Sequence, residues 1–281
     1  MKRDLGKIFK RILLYLWVGC FLTFFMFPFY WILNTSLQGK DALFQKNLNF
    51  IPHPFTLVNY IPLFTNKELN IIRALLNSLR VAFITAIICV ILGSLAAYAF
   101  TRLRFKGSRI WFILLLVTEM LPPISFLIPF FIFYSRFHLL NTWYGLVIGY
   151  VAWLLPIATW ILYGYFKTIP KDLEDSGRID GCSRVGSLIR LVLPVSTPGL
   201  ISAGIVVFMF SMGEFIFAVT TMSQMKAHTL PIEITIFVGK FALDYGAMSA
   251  TAVLTLISPV ILVLLLQKYL IEGLTKGAVK E

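Results

Sequence analysis

Two carboxylates stand inside apolar runs, and they are the first candidates for chemistry. Glu119 falls roughly ten residues into a long apolar stretch, about 15 Å deep if that stretch is helical. Glu214 lies in Met212-Gly213-Glu214-Phe215 within another such stretch. At membrane depth a carboxylate costs at least about 2.5 kcal/mol, so such a group should face protein or a wet cavity, or be protonated. Glu119 therefore has two readings: it lines a translocation path and meets solute hydroxyls, or it makes an inter-helix hydrogen bond that positions Pro122-Pro123. Glu214 likewise reads as a path or gate residue or as a structural one.

Other chemistries lack their residues. His53, His138 and His228 are far apart, and no CxxC or HExxH spacing occurs, so no metal site is expected. Cys20 and Cys89 sit in apolar runs and Cys182 in a polar one, which gives no disulfide framework. No Gly-rich loop ends in Lys-Ser/Thr, so nucleotide chemistry would have to belong to another chain. Clustered Ser/His or paired Asp, which an intramembrane enzyme would need, are missing as well. No cofactor is expected.

The remaining candidate is the polar segment 170–198. Asp172 reads as an N-cap, and Glu174 and Asp175 place negative charge in the first turn, where the helix dipole favours it. Gly181 can end that helix in a left-handed conformation. Ser183 can cap a second short helix that Pro194 stops, and Thr197-Pro198 can cap and open the next long one. The pattern fits either a docking element or an ordinary helix–turn–helix connection.

The elements around these residues follow from composition. Of 281 residues, 58% are hydrophobic and 14% charged, which calls for a bilayer as solvent. Six stretches reach the roughly 20 residues a spanning helix needs: about 12–34, 76–101, 110–135, 143–166, 198–222 and 246–268. They are continuously apolar without two-residue alternation, which excludes a β-barrel. The first run is too long for a cleaved signal peptide and contains Pro28, so it reads as a retained helix. The expectation is an all-α membrane protein, residues 1–281 forming one six-helix domain.

A net charge of +12 could suggest nucleic acid, but its placement says orientation. Lys2, Arg3, Lys7, Lys10 and Arg11 precede the first run; Arg102, Arg104, Lys106 and Arg109 fill the second loop; Lys167, Lys171, Arg178, Arg184 and Arg190 lie in the fourth; Lys268, Lys276 and Lys280 follow the last. The other face holds Lys40, Lys46, Lys67, Lys226 and Lys240 spread over longer loops. The positive-inside rule then places both termini in the cytoplasm. Loop 35–75 is external, broken by Pro52, Pro54 and Pro62, and loop 223–245 is expected to be partly ordered around Ile234–Val238. Arg80 and Arg136 should snorkel, with Trp143 and Tyr144 as interfacial anchors.

The segment 170–198 resembles the EAA loop of ATP-binding-cassette (ABC) importer permeases: Glu-Ala-Ala, three residues, Gly, nine residues, Ile, one residue, Leu-Pro. Asp175, Ser176 and Gly177 take the triplet, Gly181 the glycine, Leu191 the Ile position, and Leu193-Pro194 the end. The departures are Asp for Glu, Ser and Gly for the two Ala, and Leu for Ile. Asp180-Gly181 also matches a common form, and Glu174 adjoins the triplet. Further stretches, such as Ala96-Ala97-Tyr98-Ala99, Asn141-Thr-Trp143 and Gly273–Lys280, extend the likeness over most of the chain, closest to carbohydrate permeases of the maltose/trehalose type.

That resemblance implies a type I importer fold in a prokaryotic inner or plasma membrane. It implies a paralogous permease as heterodimer partner, two ATP-hydrolysing subunits and an extracellular solute-binding protein, with this chain noncatalytic. The EAA residues would seat in a groove of an ATPase subunit, and the tail Thr275–Glu281 would reach the ATPase interface. The solute would be a di- or oligosaccharide such as maltose or trehalose, whose principal contacts the family places on the partner permease. A permease for another solute, such as glycerol 3-phosphate, shares the architecture. A secondary transporter is the rival of another class; no internal repeat is visible to support it.

Overall fold

The computed structural model describes residues 2–45, 49–66, 69–103, 105–239 and 243–278. Arg104, Lys46, Lys67, Lys240 and the end of the tail, 279–281, lie outside the described residues. Among those described, every regular element is a helix. In chain order the main ones are α1 (Lys2–Ser36), α2 (Ile71–Arg102), α3 (Ser108–Met120), α4 (Pro123–Arg136), α5 (Trp143–Thr168), α6 (Asp172–Ile179), α7 (Arg184–Val195), α8 (Thr197–Gly213), α9 (Ile216–Thr221), α10 (Leu230–Gly239) and α11 (Tyr245–Ala278). Among the described residues four helices are long and apolar enough to cross a membrane, and up to six spans result if each of two bent pairs counts as one.

The third apolar stretch is not the single helix expected over 110–135. It is broken between α3 and α4 with a bend of 92°. Leu121 and Pro122 are extended, with ψ of 129° and 123°. Two consecutive prolines explain the break: neither has an N–H to continue the ladder, and each pushes the preceding residue out of the helical region.

The fifth stretch, expected as 198–222, is also broken. α8 stops at Gly213, Glu214 is extended, and α9 starts anew at Ile216. At the other end of α8, α7 runs past Pro194 to Val195 before a bend of 79°. Pro194 therefore does not stop the helix: it occupies the start of a short terminal turn after a π-helical stretch, Leu188–Val192, where its missing N–H is tolerated. Ser196 precedes α8, so Thr197 is its first residue rather than its cap, and Pro198 sits in its first turn.

Contacts group the chain into two units, 1–69 with 234–254 and 70–233 with 255–281. In the first, the apolar length of α1 packs against almost nothing: aromatic side chains from Phe9 to Phe29 stand exposed, as expected of a surface facing lipid or another chain. Beyond it the chain folds back on polar contacts. Asn59 Nδ2 donates to the carbonyls of Ser36 (2.9 Å) and Gln38 (2.7 Å). Lys40 Nζ pairs with Asp244 (2.8 Å), whose other oxygen caps α11 by accepting from the Ala247 N–H at 3.1 Å.

In the second unit α2, α5 and α8 pack together. Their contact faces carry small residues such as Ala82, Ala97, Ala158 and Ala203, all fully buried. Helices that cannot rely on hydrophobic exclusion from lipid associate through such close backbone approach. Thr142 caps α5 by accepting from the Gly145 N–H. The expected anchor Trp143 holds the Arg80 guanidinium over its ring at 3.8 Å.

Candidate functional site

The polar segment folds as two short helices with a hinge. Lys171, not Asp172, is the N-cap residue of α6; Asp172 is the first helical residue, and no side chain caps that end. The C-terminus is better finished. The Gly181 N–H donates to the Arg178 carbonyl (3.1 Å) and the Cys182 N–H to the Gly177 carbonyl (2.9 Å), the paired bonds of a Schellman motif. Gly181 has φ +87°, a conformation that a Cβ resists. Ser183 then caps α7, its Oγ accepting from the Gly186 N–H at 3.1 Å.

The two helices lie against one another through Gly177. A Cβ there would meet the Leu191 Cδ1 methyl, so any larger residue requires that side chain to shift. Gly177 is buried and Leu191 and Leu193 are half-buried. Asp175, Ser176, Asp180, Gly181 and Pro194 are exposed. Beside them stand exposed apolar side chains, Ile179 at 88%, Val185 at 64% and Ile189 at 58%. That mixture is unusual for a mere solvated connector.

Glu174 points the other way. Its side chain is buried and ion-paired with Arg102 Nε at the end of α2. The Tyr98 hydroxyl, one turn earlier on α2, donates to its second oxygen at 2.9 Å. Arg102 also donates to the Ile169 carbonyl at 2.8 Å, at the end of α5. One carboxylate thus ties α6 to the ends of two long helices. Charges so placed are tolerable only when their partners are present.

The two intramembrane carboxylates, far apart in sequence, line one cavity of about 440 Å³. Phe126, Phe130, Tyr150 and Trp153 contribute to its walls. Glu214 is fully engaged there. One oxygen accepts from the Phe217 N–H (2.7 Å), the other from the Ala218 N–H (3.0 Å) and the Tyr150 hydroxyl (2.8 Å). It therefore caps α9, which explains the break that sequence periodicity did not reveal. Glu119, at the α3–α4 break, differs: its Oε1 is shielded from solvent and has no hydrogen-bond partner among the described residues.

Residues 89–276 match the family described as the inner membrane component of binding-protein-dependent transport systems. The chain belongs to this family. It is 36% identical over 275 residues to the trehalose/maltose transport system permease of Thermococcus litoralis, covering 98% of each chain. It is 35% identical to the sulfoquinovosyl glycerol transport system permease of Agrobacterium fabrum (91% of this chain, 89% of that one). With the trehalose transport system permease of Mycobacterium tuberculosis it shares 34% (91% and 92%). Its fold matches a chain of a bacterial ABC transporter that imports the acidic polysaccharide alginate, with TM-score 0.70, 18% identity and 94% and 96% coverage. The chain is thus a multi-pass membrane permease with the fold of ABC importer permeases.

Two parts of this permease escaped sequence reading. Tyr98 and Arg102 were legible only as a helix end and an orientation charge, although an Arg in the last turn of a span is a natural partner for an acid in the next polar loop. The second is His228, whose Nδ1 lies 2.9 Å from Glu233 Oε1, both buried, with α10 in place of the partly ordered loop expected there. The Asn77 side chain donates to the His228 carbonyl at 3.0 Å, and Ser78 Oγ accepts from the Leu230 N–H at 2.8 Å. The five-residue separation of His228 and Glu233 was the available signal.

Proposed function

We propose that the chain is a noncatalytic half of the translocation pathway of an ATP-driven importer for a di- or oligosaccharide, working with a paralogous permease, two ATPase subunits and an extracellular solute-binding protein. Residues 1–281 serve as one permease domain with both termini in the cytoplasm. α6 and α7 are the coupling element. Asp175, Ser176, Asp180, Gly181 and Pro194 meet the ATPase together with exposed Ile179, Val185 and Ile189, while Glu174, Gly177, Leu191 and Leu193 hold the element together and to the membrane helices. The observation that carries this reading is the build of α6: one exposed face, and one buried face locked to α2 by a carboxylate. A connector needs no such lock, whereas an element that passes a push from a partner into a membrane helix does. Glu119 and Glu214 line the path.

The substrate class rests on likeness to the trehalose and trehalose/maltose permeases. A second reading, a permease for an anionic solute, is favoured by the equally similar relative named for sulfoquinovosyl glycerol. The test is reconstitution of the assembled importer in proteoliposomes. ATP-driven uptake of trehalose or maltose, absent when this chain is reconstituted alone, is the expected result. Uptake by the single chain driven by an ion gradient would overturn it.

A further inference from the structure

The two carboxylates of the cavity are not equivalent, and their difference assigns a ligand class. This step rests on the permease reading above. Glu214 has both oxygens committed to Tyr150, Phe217 and Ala218, so its hydrogen-bonding capacity is largely spent on the α8–α9 break. Glu119 Oε1 is shielded without a partner among the described residues, a costly state for a polar atom unless something else fills its place. The cavity beside it, about 440 Å³, lies within the roughly 300–1,000 Å³ typical of small-molecule sites. Its walls are largely aromatic and aliphatic, and no Lys or Arg is among its lining residues.

We propose that this cavity is a subsite for an uncharged sugar, in which Glu119 accepts hydroxyl hydrogen bonds and Trp153 offers an apolar ring face. Solutes bearing a phosphate or sulfonate are excluded from it. An apolar wall with a few fixed acceptors suits a molecule whose C–H faces alternate with hydroxyl edges. An anion would find no Lys or Arg among the lining residues, so nothing would offset the loss of its hydration. The selection against anions is therefore built into this chain, independently of what the solute-binding protein admits.

The test reads the cavity directly. Phe126→Cys is introduced on its wall in a background with Cys20, Cys89 and Cys182 replaced by Ser, and the assembled importer is placed in nanodiscs without the binding protein. Maleimide labelling of position 126 is followed against rising trehalose, maltose or glycerol 3-phosphate. Either sugar should slow labelling, and glycerol 3-phosphate should not. Glu119→Gln should raise the protecting sugar concentration about tenfold, the usual weight of one charged hydrogen bond. Trp153→Ala leaves both carboxylates in place and should shift it in the same direction. Co-purification of the ATPase subunits at the parental level certifies each variant as folded. Equal protection by glycerol 3-phosphate, or sugar protection unchanged in both variants, overturns the proposal. ATP-driven sugar uptake that persists without any protection removes the subsite alone; a parental assembly that takes up no sugar removes the permease reading with it.

Discussion

Arg102 at the end of α2 and Glu174 in the first turn of α6 form a buried ion pair, and the Tyr98 hydroxyl completes it. Removing one member of such a pair leaves the other charged and desolvated. Glu174→Leu or Arg102→Met should therefore each cost about 3–5 kcal/mol, whereas the two together should recover much of that loss. Thermal unfolding of the solubilised permease, read as a double-mutant cycle, gives the coupling. If the double loses the sum of the two single losses, the residues are uncoupled and the pair does not hold α6.

How much of this segment was legible depends on the range over which each feature is determined. Gly181 and the Ser183 cap are local: backbone sign and a side chain three residues from its target are fixed by neighbouring sequence, and both read correctly. Glu174 was visible only as a favourable first-turn charge, because its partner lies on a helix distant in the chain. The six apolar stretches were plain from length. Pro122-Pro123 was visible, but a proline pair reads equally as a kink or a break until packing decides. Glu214 gave no warning, since glutamate is an ordinary helix residue and only its capture by Tyr150 and two amides ends α8. The shared cavity of Glu119 and Glu214 is a product of tertiary structure and had no sequence signal.

Gly181 should tolerate no side chain. Gly181→Ala must adopt φ +87°, at a cost of about 1–2 kcal/mol, and Gly181→Asp adds bulk and charge to an exposed hinge. The expected outcome is loss of ATPase co-purification or of substrate-stimulated hydrolysis, with the binding protein still taking its sugar normally. Asp175→Lys, which reverses an exposed charge on the same face, should do likewise. Parental assembly and uptake in both variants would reduce the segment to a connector.

Glu214→Ala should unravel the start of α9. Losing a capping carboxylate typically costs about 0.5–2 kcal/mol, and here the Tyr150 hydroxyl loses its acceptor too. Tyr150→Phe removes only the second of these and should cost about 1 kcal/mol. Thermal melts of the assembled importer compare the two. A loss in Tyr150→Phe equal to that in Glu214→Ala would mean that the capping bonds contribute nothing.

The orientation is checked by single cysteines at positions 106 and 226, both exposed. With native cysteines replaced, an impermeant maleimide should reach position 226 from outside the cell. Position 106 should react only after the membrane is opened. The reverse pattern would put the proposed coupling element on the wrong side of the bilayer.

The π-helical stretch Leu188–Val192 carries one residue more in its turn than a regular helix would hold. Deleting a single residue there would let ordinary winding resume with the turns on either side still in phase, because the wide turn only spends one residue more on the same rotation. Ser187 and Leu188 would keep facing inward. A residue added or removed where the winding is already regular has no such slack and would rotate one side against the other by about 100°. The wide turn is therefore the place where this segment can change length by one residue, a slack link between two fixed ones.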